Sequence, residues 1–418
     1  MNKRLCITTI VMASILGVSA LHAQPVDTRI ESNARRAELT LVQSNNRFAF
    51  DLYKRHAFQK KNVFFSPYSL TTAMGMVADG ARGATADEMR RVLHFTVNDG
   101  ERRVEAAVMI KDLNSDGSSE TDPAGKQYEL KTANALWVKK DFAFEAAYLD
   151  LIKTVYSGYA TALDFTADTE NARITINDWV AAQTNNRIRD LVAPGVVSAD
   201  TRLVLTNAVY FKGAWAEPFD KSATAKLPFF TGDTAVQADM MRKNADYLYM
   251  ENEKVQMVAL PYRGERLSMV LILPLENDLA RLETELNPDM VLSWRAGMAR
   301  ESVDLAVPKF ELATDLGLGR DLREMGMMSA FINGTADFSG MTGTRGLFIS
   351  QVVHKAWVKV DEEGSEAAAA SAVMMNLTGI PGQHPKVFHA DHPFIVLIQD
   401  DVTGQILFMG RVSDPTAR

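Results

Sequence analysis

The chain has 418 residues, 47% of them hydrophobic and 23% charged, with a formal net charge of −7 at pH 7 and a single cysteine. A negative balance of this kind offers no electrostatic footprint for nucleic acid or an anionic membrane surface, and one cysteine excludes a disulfide framework or a cysteine metal site. Residues 1–23 read as a secretory leader: Lys3 and Arg4 form a charged start, an apolar run covers Ile7 to Leu21, and small residues precede a cut after Ala23. Cys6 leaves with that leader, and the loss of Lys3 and Arg4 takes the charge from −7 to −9. No later run reaches the roughly 18 apolar residues of a membrane span, and no linker or repeat divides the rest. Residues 24–418 are therefore expected as one exported, soluble domain.

In chain order, helical spacing from Arg29 to Gln59 puts Phe48, Leu52 and Tyr53 on one face. A short apolar strand, Asn62 to Ser66, then meets Pro67 at a first helical position, and a helix runs from Ser69 to Asp79 and stops at Gly80. Thr85 with Glu88 three residues on predicts a capping box and a helix through Leu93. Residues 113–128 are polar and Gly-rich, hence an exposed loop. Strands are expected at Leu130–Val138, Thr201–Lys212, Tyr247–Tyr262, Leu267–Leu273 and Val303–Leu312. Helices are expected at Glu145–Val155, Ala172–Thr184 and Leu316–Met325. Helices dominate the first half and strands the second, an order that favours the α+β class with sheets packed against a helical layer.

The stretch 362–382 lies between two runs that read as buried strands, Val352–Val360 and Val387–Ile398, and is too long for an ordinary connection. One row of alternate positions, Ser365, Ala367, Ala369, Ser371, Val373 and Met375, holds only small or apolar side chains, while the other takes the charge at Glu366. Period two with one uncharged row suits a strand that buries one face. Ala and Glu are also strong helix formers, so local propensity leaves a short surface helix equally open.

Most chemistry tested against the residues fails. No Gly-x-Ser-x-Gly elbow, Ser-x-x-Lys, phosphate loop or His-Glu-x-x-His is present. His384, His389 and His392 are close enough in sequence to suggest zinc, but no carboxylate pattern completes the set. Ser66, Ser69 and His354 invite a hydrolase reading; a buried hydrogen-bonded cluster joining helix and sheet is the plainer one. Sequons stand at Asn333 and Asn376.

Five ordered motifs resemble those of the serpins, protease inhibitors that insert a cleaved loop into a sheet. They are Asn62-Val63-Phe64-Phe65-Ser66-Pro67, Gly80-Ala81-Arg82-Gly83, Thr206 to Trp215, Val307-Pro308-Lys309-Phe310 and His389-Ala390-Asp391-His392-Pro393-Phe394. The match runs from about Arg47 to Pro415. The resemblance implies three β-sheets with eight or nine helices and an exposed reactive loop at 362–382. It assigns Ser66, Ser69, Asn207 and His354 to a shutter under the central sheet and Trp215 to the breach where the loop enters. Glu362, Glu363, Gly364, Ser365, Glu366, Ala367, Ala368, Ala369, Ala370 and Ser371 look like the hinge of inhibitory members. Family spacing puts the reactive bond at Thr378–Gly379. The segment before Phe394 is a few residues longer than usual, which keeps Met374, Met375, Leu377 and Ile380 as alternatives. The loop lacks Lys or Arg before Lys386, so elastase-like or chymotrypsin-like endopeptidases fit better than trypsin-like ones, and Leu377 also suits some cysteine proteases. The resemblance implies a monomeric inhibitor, not an enzyme, with no cofactor or metal. A second departure is Asn186-Arg187, where many relatives have Gly-Lys.

Overall fold

The computed structural model describes residues 26–96, 98–114, 128–232, 234–366 and 384–417. It begins with α1 (Val26–Ala57), β1 (Val63–Phe65), α2 (Pro67–Gly80), α3 (Gly83–Val92) and α4 (Asp99–Asn114). There follow β2 (Tyr128–Lys139), α5 (Ala146–Tyr156), β3 (Tyr159–Leu163), α6 (Thr169–Gln183) and β4 (Leu203–Ala214). Next come β5 (Ala225–Phe230), β6 (Ala235–Glu251), β7 (Val255–Pro261), β8 (Leu267–Pro274), α7 (Leu279–Glu285) and α8 (Pro288–Ala296). The chain continues through β9 (Ala299–Pro308), β10 (Phe310–Gly317), α9 (Gly319–Glu324), α10 (Ser339–Thr342), β11 (Ile349–Asp361) and β12 (Gly364–Ser365). It closes with β13 (Lys386–His389), β14 (Phe394–Asp400) and β15 (Ile406–Val412). The class is α+β: α1 to α6 are all complete by Gln183, and β5 to β15 all follow.

Two hydrogen-bonded sheets carry the strands. One has nine, in the order β1-β15-β14-β8-β7-β6-β9-β13 with β5 also on β6; the other has six, ordered β10-β11-β12-β4-β2-β3. The 17-residue β6 joins two halves of the larger sheet, pairing with β5 and β9 along most of its length and with β7 at its end. That junction is why three expected sheets form two continuous ladders.

Several elements depart from the sequence expectation. Val303–Leu312 is two strands, because β9 ends at Pro308 in one sheet and β10 starts at Phe310 in the other. The Lys309 N–H still donates to the Asp239 carbonyl of β6 at 2.8 Å, the last bond of that ladder before the chain changes sheet. Val387–Ile398 likewise divides into β13 and β14 across Asp391-His392-Pro393. The capping box does not form: α3 starts earlier, at Gly83, whose φ is +52°. Thr85 Oγ1 instead accepts the Asp337 N–H at 3.0 Å, and Glu88 accepts the Ser329 N–H and hydroxyl at 2.7 Å each. Leu316 belongs to β10, opposite His354, so the helix expected there is reduced to α9. Among the described residues α4, α7, α8, α10, β3, β5, β15 and the first part of β6 are elements the periodicity did not signal.

The core is apolar and continuous from α1 to β15, and Phe48, Leu52 and Tyr53 are all buried in it. Every residue of α2 is buried, so this helix needs internal partners for its polar groups. Asp79, at its C-terminal end, is paired with the Arg102 guanidinium, accepts Arg103 Nε at 3.0 Å and accepts the Tyr156 hydroxyl at 2.8 Å. This clamp ties α2 to α4 and α5. Removing one partner of a buried ion pair costs about 3–5 kcal/mol because the other charge stays buried alone. Asp79→Ala is expected to lose about that much stability in urea unfolding; a loss under about 1 kcal/mol would show the clamp to be marginal.

Candidate functional site

The site is a seam in the six-stranded sheet. β11 and β4 run parallel and pair directly from Ile349 with Leu203 to Trp357 with Tyr210. Beyond that point they part, and β12 lies between them, antiparallel to both: Ser365 faces Val360 on one side and Gly213 on the other. The chain after β11 therefore turns back at once and occupies the first two positions of the gap it borders. Gly364 makes the turn possible. Its φ is +146°, and a Cβ there would meet the Gly213 carbonyl oxygen at 2.1 Å, so only glycine is accommodated.

The segment Glu362–Glu366 is fixed from several sides. Trp215, just past β4, donates Nε1–H to the Asp361 carbonyl at 2.9 Å and its backbone N–H to the Glu363 carbonyl at 3.0 Å. Its ring stacks on Tyr262 with centroids 4.8 Å apart, and the Tyr262 hydroxyl meets the Ser365 hydroxyl at 2.7 Å in the core. Glu362 is buried, yet accepts Lys309 Nζ at 2.8 Å and the Thr224 hydroxyl at 2.8 Å. Burial opposes its ionisation, but the Lys309 ammonium and the Thr224 hydroxyl hold the carboxyl below its usual range. Lys221 pairs with Glu363. Ala367, Ala368, Ala369, Ala370 and Ser371, the alternatives Met374, Met375, Leu377 and Ile380, and the bond Thr378–Gly379 lie outside the described residues.

Lower in the same seam, one polar row crosses three strands. His354 on β11 is in register with Asn207 on β4, which is in register with Asn134 on β2. Beneath them lies the N-terminus of α2. The His354 Nδ1–H donates to Asn207 Oδ1, and Nε2 accepts the Ser66 N–H at 3.1 Å. Asn207 Nδ2 donates to the Ser69 hydroxyl at 2.6 Å, to its carbonyl at 3.0 Å, and to Asn134 Oδ1. The Ser66 hydroxyl donates to the Leu407 carbonyl at 2.6 Å and accepts the Ser69 N–H at 3.1 Å as the helix N-cap. Both His354 nitrogens are thus engaged by groups other than a serine hydroxyl, and Ser66, Ser69, Asn207 and His354 are all fully enclosed. No hydrogen bond links a serine nucleophile to the imidazole, so the hydrolase arrangement is not made. His384, His389 and His392 do not converge either. His392 is held by Asp391 at 2.7 Å and the Pro274 carbonyl at 2.8 Å, and no metal-ligand cluster of three occurs among the described residues.

A family model described as serpin (serine protease inhibitor) matches residues 43–415. The chain belongs to the serpin family. It is 41% identical over 379 residues to a serpin-like protein of Thermococcus kodakarensis, covering 90% of this chain and 86% of that one. It is 39% identical to human serpin B3 over 390 residues, covering 90% of this chain and all of that one. The leukocyte elastase inhibitor of Xenopus laevis is 37% identical over 382 residues, with 88% and 97% covered. Among solved structures, human thyroxine-binding globulin with its thyroxine superposes at a TM-score of 0.82 with 30% identity, covering 91% of this chain and 100% of that chain. Uncleaved ovalbumin does so at 0.79 with 26% identity, covering 90% and 100%. The serpin fold is therefore shared by all the strands of the seam.

Sequence reasoning missed four participants. Asn134 left a trace, as a polar residue beside the apolar run Ala135 to Val138. Tyr262, Thr224 and the Lys309 partnership with Glu362 left none, because they are tertiary. Burial pushes His354 down from 6.5 to about 3, with hydrogen bonding to Asn207 acting in the opposite direction. The unfolded histidine takes up a proton near 6.5 that the folded one refuses until about 3. This contribution to stability is thus complete above pH 6.5 and is lost as pH falls through that window, at about 1.4 kcal/mol per pH unit. The fall in thermal midpoint from pH 7 to pH 5 is expected to be smaller in His354→Gln than in the wild type. Equal falls would remove His354 as its source.

Proposed function

We propose that this serpin is a secreted suicide-substrate inhibitor of serine endopeptidases, exported by residues 1–23 and cut near Thr378–Gly379. The carrying observation is β12, a strand already started in the gap between β11 and β4. Replacing one parallel ladder by two antiparallel ones adds hydrogen bonds worth about 1 kcal/mol net each, and antiparallel pairing is the stronger per residue. The uncharged row from Ser365 to Met375 supplies a face that can be buried. The intact chain cannot complete this insertion, because Ser365 belongs to the six-stranded sheet and Lys386 begins β13 on the far edge of the other. Cleavage frees one end. Residues 364–378 then span about 50 Å as a strand, and a protease still bound as acyl-enzyme is carried with the loop and distorted before water can release it. The protein in this reading is not an enzyme; it is consumed in one turnover.

The polar row fits the role of a shutter. The His354–Asn207 hydrogen bond crosses the parallel pair that must separate, and Ser66 and Ser69 hold both sides to α2. Trp215 fits the breach, since its ring and indole N–H hold the turn from which β12 starts. The absence of Lys or Arg in the loop and the relative named leukocyte elastase inhibitor favour elastase-like or chymotrypsin-like targets.

Thyroxine-binding globulin among the structural neighbours supports a second reading, a carrier that does not trap proteases. The uncharged hinge row counts against it. Incubation with an elastase-like protease and a denaturing gel separates the two: an inhibitor gives a covalent adduct, a carrier only cleaved chain. In the inhibitor, Ala369→Arg puts an unpaired charge into the buried row and is expected to give cleaved chain in place of adduct. Adduct at wild-type yield would contradict the insertion mechanism. Mass spectrometry of the released fragment is expected to place the cut within residues 374–380; cleavage only elsewhere would refute the bait assignment.

A further inference from the structure

The strand started by β12 stops at Glu366. Its N–H continues the ladder, donating to the Lys359 carbonyl at 3.0 Å, but its φ of +52° ends the extended conformation. Its carboxylate is paired with Arg187, and only 13% of that side chain is exposed. The Arg187 guanidinium lies over the Trp357 ring, 5.6 Å from its centroid, and Trp357 stacks against Tyr210 at 6.1 Å. Trp357 on β11 and Tyr210 on β4 are the last directly paired residues of the closed seam. Arg187 therefore reaches the point where the seam closes and the inserted strand halts.

The chain that carries Arg187 is itself anchored across the seam. Asn185, Asn186 and Asp190 all take left-handed conformations, which turn the segment after α6 back over the sheet. Ile188, next to Arg187, is fully buried in one apolar cluster with Ala208 of β4 and Val353 of β11. Farther along, Gln351 of β11 donates to the Val196 carbonyl at 3.1 Å. The segment bridges both strands that must part.

We propose that Arg187 is a positioning residue that pins the hinge at its two-residue depth, a role that rests on the inhibitory reading. In a fully extended strand Glu366 would fall, by register, between Lys359 of β11 and Lys212 of β4. Further insertion thus exchanges Arg187 for two lysines, and withdrawal leaves the carboxylate in water. In this proposal the pairing belongs to the halted state alone. An interaction of that kind lowers the ground state without lowering the barrier on either side, so it slows movement in both directions.

The direct test uses the intact protein and a synthetic peptide of the sequence Gly364 to Thr378, whose entry into the seam requires β12 to leave. A half-exposed ion pair with a stacked guanidinium corresponds to roughly a three- to tenfold change in rate. Arg187→Ala is expected to take up the peptide faster by that factor. Arg187→Lys, which keeps the charge but not the stacking, should fall between. The exchange pair Arg187→Glu with Glu366→Arg should restore slow uptake. Raising salt to 1 M should accelerate the wild type and leave Arg187→Ala unchanged. Equal uptake by wild type and Arg187→Ala, or failure of the exchange pair to slow uptake relative to the single variants, would overturn the proposal. Peptide entry needs no protease, so a wild type that forms no covalent adduct would remove the inhibitory reading while leaving this test of the pin intact.

Discussion

The structure depends on a chain that is tied at both ends beside the gap it can fill. β11 leads directly into β12, which enters the seam with β4, and β13 fixes the returning chain to the edge of the other sheet. Each further residue inserted would satisfy a backbone donor and acceptor on each side, yet the distant anchor forbids it. In the proposed mechanism the folded state is held away from a better-bonded alternative by connectivity. On the proposed reading, cutting the connection releases it.

Such an arrangement works only if the seam stays closed until then. Parallel pairing alone is modest in strength, and here side-chain contacts reinforce it along its length. The His354–Asn207 bond closes its middle, with α2 beneath. The Trp357–Tyr210 contact closes its upper end, with the segment after α6 across the face. Above that, the Trp215–Tyr262 stack and the Glu362–Lys309 pair fix the turn. Buried polar groups of this kind are costly when unpaired, so partial opening at any one level is unfavourable. In the proposed mechanism opening is driven by the incoming strand, which replaces what it breaks.

Much of this was legible in the residues. The Ser66–Pro67 boundary and the alternating strand of β4 are local patterns with direct structural meanings, and the ordered serpin motifs located the rest of the fold; the period-two row beyond Ser365 lies outside the described residues. The capping box failed because Thr85 and Glu88 found partners at Asp337 and Ser329, more than 240 residues away in sequence. The Val303–Leu312 run was read as one strand because its apolar pattern continues across Pro308-Lys309, while the change of sheet there is set by tertiary pairing of Phe310–Gly317 with β11. Arg187 stood out only as a departure from Gly-Lys, and its significance came from the placement of Glu366. What sequence patterns cannot carry is the meeting of residues across a sheet, and the polar row and the pin are both of that kind.

The central claim is that the native sheet is incomplete and that one cut completes it. Comparing heat denaturation of the intact protein with that of the same protein cut once within residues 374–380 tests this directly. The account predicts a sharp rise in the thermal midpoint after the cut, since the freed strand adds a ladder on each side and buries its uncharged row. An unchanged or lower midpoint would contradict it.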